Sequence, residues 1–364
     1  MYWVLRELQL NAEIELKIIA LGPHLSPEFG CTADQIEKDG FKIDARIECL
    51  LSSDTDVGMA KTIAVATLSL ADCLGQMRPD LLLLTADRYE MLAPASVGLA
   101  LRIPMAHIEG GEISEGAIDD AVRNALTKLS HIHFTSTALA RSRVIAMGEE
   151  PWRVHHAGAP SLDHLRRINL PDRDALEREL KADLTEPFIL VAYHPTTITR
   201  QTTREADAFF EALEAISDRI LFCYPNADAG SRSLIERTAA FCKAHRTARM
   251  FVNLQPRLYW GLLREASLLL GNSSSGIMEA ASFGVPAVNV GIRQRGRERG
   301  RNVLDADASR ESILEQIRVA KNPEFRLGLA GRENPYGDGH AAERIVQVLA
   351  SVPIGEELLI KKAN

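Results

Sequence analysis

Short apolar runs that end in polar residues or glycine alternate along this chain with longer stretches of helical rhythm, the pattern of βαβ units feeding a parallel sheet. In the first half the runs at 15–20, 81–84, 104–108 and 131–134 predict strands, and 56–73 and 118–129 predict helices between them. In the second half 188–193, 220–224, 250–252, 268–270 and 287–290 predict buried strands, each followed by turn residues and a helical stretch. Charged residues together with Pro171 and Pro187 interrupt the pattern over 165–187, which places the boundary there. A last helix is expected near 339–352, packing back on the first half. The expected fold class is α/β, with two Rossmann-like parallel-sheet domains facing across a cleft. They span residues 1–168 and 169–338, and 339–364 return as a C-terminal helix. Ligands of open parallel sheets bind beyond the carboxyl ends of the strands, so the residues that follow each strand are the ones to inspect.

Length supports two domains: 364 residues exceed what one core serves at roughly 150 residues per domain. A formal charge of -7 and a pI near 5.9 exclude the basic field that nucleic acid or an anionic membrane would require of a partner. Cys31, Cys49, Cys73, Cys223 and Cys242 show no C-x-x-C spacing and read as free thiols of a reducing compartment. No run of 18 apolar residues occurs, and residues 1–13 lack the basic and apolar regions of a signal peptide. A cytoplasmic location is expected.

Three segments carry candidate chemistry. The first follows 81–84 as Thr85-Ala86-Asp87-Arg88-Tyr89-Glu90, where Asp87 suits a sugar hydroxyl and Arg88 a phosphate; the competing reading is a helix cap with a surface ion pair. The second follows 104–108 as Glu109-Gly110-Gly111-Glu112-Ile113-Ser114-Glu115-Gly116, with Asp119 and Asp120 opening a helix. If these carboxylates converge, repulsion raises at least one pKa and equips the site for proton abstraction and donation. The glycines would let the backbone approach a ligand, while Asp119 and Asp120 also fit as complements to a helix dipole.

The third is Gly271-Asn272-Ser273-Ser274-Ser275-Gly276, leading into a helix that carries Glu279 early. Strand, small polar loop and helix N-terminus make an anion site, with Ser273 and Ser274 and the backbone N–H groups facing a phosphate and Glu279 facing ribose hydroxyls. Arg293, Arg295, Arg297, Arg299 and Arg301 follow the strand 287–290; Arg293 is placed for a diphosphate, the others for solvent or for pairs with Glu298. His194, after 188–193, faces the same end of the sheet. His131 and His133, and the pair His155 and His156, have no third ligand at metal spacing, and no H-E-x-x-H occurs, so neither a metal nor any other cofactor is expected.

Taken in order, Asp87-Arg88, His107-Ile108-Glu109-Gly110-Gly111-Glu112, Ile118-Asp119-Asp120, His194-Pro195, Asn226-Ala227-Asp228, the Gly271–Gly276 loop with Glu279, and Arg293-Gln294 resemble the hydrolysing UDP-N-acetylglucosamine 2-epimerases. The resemblance runs from about His24-Leu25-Ser26-Pro27-Glu28-Phe29-Gly30 to about Asn302. It implies a GT-B-like fold, and a reaction giving N-acetylmannosamine and UDP through a glycal, towards sialic-acid-type sugars. By motif position it implies Asp87, Glu109 and Asp119 as acid/base carboxylates. Arg88, His194, Ser273, Ser274, Glu279 and Arg293 become substrate-binding residues. A homo-oligomer is implied as well. The family opens with a strand and a Ser-Arg-Ala-Asp type loop, whereas residues 1–10 match the helix after it, so the first domain is expected to lack its first strand. Competing readings are a non-hydrolysing sugar-nucleotide 2-epimerase, a GT-B glycosyltransferase, and a catalytically silent sugar-nucleotide-binding protein.

Overall fold

All strand pairing in the computed structural model is parallel, in sheets of two, four and six strands among the described residues, which are 1–364 without 52, 54, 86, 226, 227, 253, 332, 363 and 364. Two units divide the chain: Met1–Glu112 with Ile118–Arg166 and Tyr336–Asn364, and Ile113–Ala117 with Arg167–Pro335.

The first unit holds β1 (Ile19–Leu21) paired with β2 (Ala45–Ile47), and a second sheet in the order β3 (Leu82–Leu84), β4 (Met105–Ile108), β5 (Ile132–Thr135), β6 (Val154–His156). Among the described residues no strand pairs with both β1 and β3. The predicted strand 15–20 is formed only from Ile19, because the Asp44 carboxylate takes the Ile18 N–H at 3.0 Å in place of a ladder partner. The Asp56–Met77 helix begins with the Thr55 hydroxyl accepting from Gly58 N, and its Ala66, Leu70 and Leu74 stripe packs under Val97 and Ile47. By length and composition alone this helix is long and apolar enough to cross a membrane, a feature that counting uninterrupted apolar residues misses. One face of it packs on the Leu92–Leu101 helix and buries Leu74 fully.

The Ala341–Ser351 helix lays Ala342, Ile345 and Leu349 against Val4 and Leu8 of the Tyr2–Leu10 helix and against Ala106 and Phe134 of the sheet. Its first N–H groups are capped by the buried Asp163 carboxylate, from Ala341 at 2.9 Å and Ala342 at 2.8 Å.

The second unit is one sheet of β7 (Phe188–Ala192), β8 (Arg219–Cys223), β9 (Ala248–Phe251), β10 (Leu268–Gly271), β11 (Ala287–Val290) and β12 (Val303–Ala306), in the order β12-β11-β10-β7-β8-β9. Renumbered within the unit this is 3-2-1-4-5-6, the doubly wound order whose switch point lies between β7 and β10. The completely buried Phe188–Ala192 strand runs down its centre.

Imidazoles are concentrated in the core of the first unit. Burial pushes His107 down to about 3 and His131 to about 4, and His131 Nδ1 accepts from Met105 N at 3.0 Å, as a neutral ring must. Glu149 is brought to about 2: burial opposes the shift and hydrogen bonds from His133, Lys128 and Lys361 outweigh it. All three folded-state values are depressed, so the unfolded chain takes up protons first. Stability is complete above about pH 6.5 and falls as pH drops towards 3, the Glu149 share being lost between 4.5 and 2. Calorimetry at stepped pH is expected to show the first unit melting progressively lower below pH 6.5, and His131→Asn, which keeps an acceptor for Met105 N, to flatten the slope. A transition temperature that stays constant from pH 7 to 5 would contradict this.

Candidate active site

In the first unit, β3 and β4 are neighbours with Leu84 opposite His107, so the segments holding Asp87 and Glu109 leave the sheet side by side. Glu109 has a φ of +70°. Of the other described non-glycine residues with positive φ, Arg78, Arg102 and Lys181 are helix C-caps, where a left-handed residue is ordinary, and Cys31 is the N-cap of the Thr32–Lys38 helix. Glu109 caps nothing. It is held there by its N–H donating to Phe134 O at 2.7 Å, at a strain of about 1–2 kcal/mol.

Asp119 and Asp120 open the Asp119–Leu129 helix. The Asp120 carboxylate accepts from Arg123 and Asn124, both at 3.4 Å, and Asp87 accepts from Arg123 Nη2. Arg88 donates to the buried Glu90 at 3.2 Å and lies over the Tyr89 ring.

The sequence left open whether the carboxylates of the acidic loop converge, and the structure sends two of them apart. Glu112 turns into the core and accepts from Tyr336 Oη at 3.3 Å, while Glu115 belongs to the second unit, 4.0 Å from Arg295. Two of the loop's glycines are required by packing. Gly111 has φ +81°, and a Cβ there would meet the Ala140 carbonyl oxygen at 2.3 Å. The same holds at Gly116, whose Cβ would fall 2.5 Å from the Arg293 backbone.

In the second unit the functional segments gather at the switch point. Gly271 ends β10 with φ +144°, so close to β7 that a Cβ would lie 2.1 Å from Ala192 O. Asn272, fully buried, then clamps the segment after β7: His194 N donates to its Oδ1 at 2.8 Å and its Nδ2 donates to His194 O at 2.9 Å. The Asn272 carbonyl accepts from Arg293 Nη1 at 3.2 Å and Gln294 Nε2 at 3.1 Å. Asn272 thus fixes His194, Arg293 and the serine loop in one arrangement, a role its place in the sequence does not announce.

Among the described residues no backbone acceptor is found for the N–H groups of Ser273 and Ser274. The long helix expected behind the loop is a single turn, Ser275–Met278, followed by a 3-10 turn, Ala280–Phe283, because Val285 N bonds back to Ala280 O. Glu279 therefore closes that turn instead of opening a helix, and the anion site rests on local N–H groups and hydroxyls more than on a macrodipole. Arg297 is buried against Met278, where solvent was one expectation, and Arg299 pairs with Asp305. Asn226 and Ala227 lie outside the described residues.

The sequence profile of the UDP-N-acetylglucosamine 2-epimerase family matches residues 6–350. The chain belongs to this family. The epimerase is 36% identical over 304 residues, 83% of this chain and 79% of the relative, to the GDP/UDP-N,N'-diacetylbacillosamine 2-epimerase (hydrolyzing) of Campylobacter jejuni. It is 35% identical over 360 residues, 98% and 94% of the two chains, to the UDP-N,N'-diacetylbacillosamine 2-epimerase (hydrolyzing) of Legionella pneumophila. Its fold matches that of the UDP-GlcNAc 2-epimerase from Neisseria meningitidis bound to UDP-GlcNAc, with a TM-score of 0.76 at 20% identity over 96% of this chain and 95% of the other. The epimerase is thus a GT-B-like enzyme, a UDP-sugar 2-epimerase of the hydrolysing kind.

Sequence reasoning passed over Arg123, Glu90 and Asn272. Of these only Arg123 left a signal: it falls with Val122 and Leu126 on the buried side of its helix, four residues after Asp119.

Proposed function

We propose that the epimerase turns a UDP-linked 2-acetamido sugar into the free 2-epimer and UDP. The observation that carries this reading is the strained Glu109 standing beside Asp87 at adjacent strand ends, with the Asp119–Leu129 helix tied to Asp87 through Arg123. A carboxylate takes the C2 proton as the C1–oxygen bond to the diphosphate breaks, leaving a C1=C2 glycal and UDP. Hydroxide from water then bonds C1, and a proton returns to C2 on the opposite face. Removal and return from two faces require more than one acid/base group, which Asp87, Glu109 and Asp119 supply in the first domain, residues 1–168. C2 is a weak carbon acid, so the departing charge must be stabilised. In the second domain, residues 169–338, Ser273, Ser274 and Arg293 hold the diphosphate, Glu279 the ribose, and His194 the sugar or diphosphate; Arg88 completes the anion contacts. The same proposal takes the enzyme to be a cytoplasmic homo-oligomer, needing no cofactor.

The relatives at 36% and 35% identity are named for N,N'-diacetylbacillosamine, while the UDP-N-acetylglucosamine 2-epimerase of Neisseria meningitidis stands at 29% over 350 residues. Sequence distance therefore favours UDP-N,N'-diacetylbacillosamine, with UDP-N-acetylglucosamine as the second reading. Proton NMR of the enzyme with each nucleotide sugar separates them: 2,4-diacetamido-2,4,6-trideoxymannose and UDP are expected from the first at a higher kcat/KM than N-acetylmannosamine and UDP from the second. A product that keeps its nucleotide would refute the hydrolysing reaction, and equal rates would refute the ranking.

A further inference from the structure

Arg123 stands outside every motif from which function was read, and its surroundings are unusual for a helix arginine. It occupies the second turn of the Asp119–Leu129 helix, and its side chain is 1% exposed. A guanidinium keeps its proton under all working conditions, so burying it carries a heavy desolvation cost unless its N–H groups are matched by acceptors and its charge by an anion. The acceptors come from three different segments. Nη2 donates to the Asp87 carboxylate beyond β3, Nη1 to Glu112 O in the loop beyond β4 at 2.8 Å, and Nη1 also to Asp120 in the first helical turn at 3.4 Å.

The burial is lopsided: Asp87 and Asp120 are 30% and 31% exposed against 1% for the arginine. Each pair is therefore dry on the guanidinium side and open on the carboxylate side. That exposure spares the carboxylates much of the desolvation cost and at the same time leaves their free oxygens accessible to a ligand. The second contact, to Glu112 O, fixes the far end of the Glu109–Glu112 segment, whose near end is fixed by Glu109 N on Phe134 O.

We infer that Arg123 is a positioning residue for the proton chemistry: one planar fork sets the orientation of Asp87 and ties it to the loop that carries Glu109. This rests on the reading that Asp87 and Glu109 act on the substrate carbon. A lysine at 123 supplies the charge without the fork, and a glutamine supplies donors without the charge.

The test is a double-mutant cycle in the full chain, using Arg123→Lys, Arg123→Gln, Asp87→Asn and the combined variants. UDP release is followed for kcat and KM, UDP binding by calorimetry, and folding by melting curves. Arg123→Lys is expected to lower kcat about 10²-fold, as loss of a reacting group's alignment does, with UDP affinity held within about threefold, because the nucleotide contacts belong to other residues. Adding Arg123→Lys to Asp87→Asn is expected to cost less than about threefold more, since the arginine acts through the aspartate. Should Arg123→Gln fail to fold, the lysine variant alone decides. An active wild type whose Arg123→Lys variant keeps its kcat, or whose losses multiply independently with Asp87→Asn, would overturn this inference alone. A wild type that releases no UDP would overturn the functional reading and this inference with it.

Discussion

Glu109→Gln is expected to slow UDP release about 10³-fold and to leave the melting transition of the first unit within a few degrees of wild type. The substitution removes the group's capacity to carry a proton while keeping its size, its left-handed backbone and the hydrogen bond from its N–H to Phe134 O. Asp87→Asn is expected to lose a similar factor and, unlike Glu109→Gln, to destabilise the first unit, because the buried Arg123 charge then keeps only the longer contact to Asp120. Steady-state rates for the two variants, read beside their melting curves, check both statements. Activity within tenfold of wild type for either would remove that carboxylate from the chemistry.

The second large effect falls on folding. Gly271→Ala puts a methyl group 2.1 Å from Ala192 O at a φ of +144°, which side chains other than hydrogen rarely tolerate, so β10 must pull away from β7 at the switch point. A cost of about 3 kcal/mol or more is expected, lowering the transition of the second unit by about 6–12 °C. Substrate-analogue binding should fall with it, since Asn272 and the serine loop follow directly. Gly75→Ala is the control: it sits inside the Asp56–Met77 helix with nothing within 4 Å of the added carbon, and a gain of about 0.5–1 kcal/mol is expected. Differential scanning calorimetry distinguishes the two directly; a Gly271→Ala protein as stable as wild type would show that the strands need not approach so closely.

What the sequence disclosed and what it withheld follow from burial. Central strands such as β7, β4 and β11 are buried at each position and stand out as apolar runs. The strands that were not foreseen, β2, β6 and β12, each lie at the edge of a sheet and mix buried with exposed positions over three or four residues. An edge strand with one covered face looks like a loop in composition. The Asp56–Met77 helix was visible, and its extra turn to Met77 was not, because Gly75 falls within it.

At the site, residues that end strands were legible, since topology alone sends them to one rim of a sheet. Asp87, Glu109, His194 and Ser273 are of this kind. Residues that work by being buried were not. Asn272 reads as one more polar loop residue until the carbonyls and amides it satisfies are seen, and Arg123 is betrayed only by its place beside Val122 and Leu126. The Glu-Gly-Gly-Glu segment misled in the opposite sense. Its charges suggested a cluster, yet Gly111 is dictated by the backbone of Ala140 and Glu112 by Tyr336, so local sequence density did not translate into spatial density.

The central claim is that carboxylates of the first domain drive cleavage of the carbon–oxygen bond at C1 by removing the C2 proton. Turnover in deuterium oxide enriched in oxygen-18 tests it in a single experiment. One deuterium at C2 of the released sugar, and UDP whose phosphate oxygens carry no oxygen-18, is the expected result. Oxygen-18 in the terminal phosphate of UDP, or a product that retains the original hydrogen at C2, would mean that water attacks phosphorus or that C2 is never deprotonated, and would contradict the account.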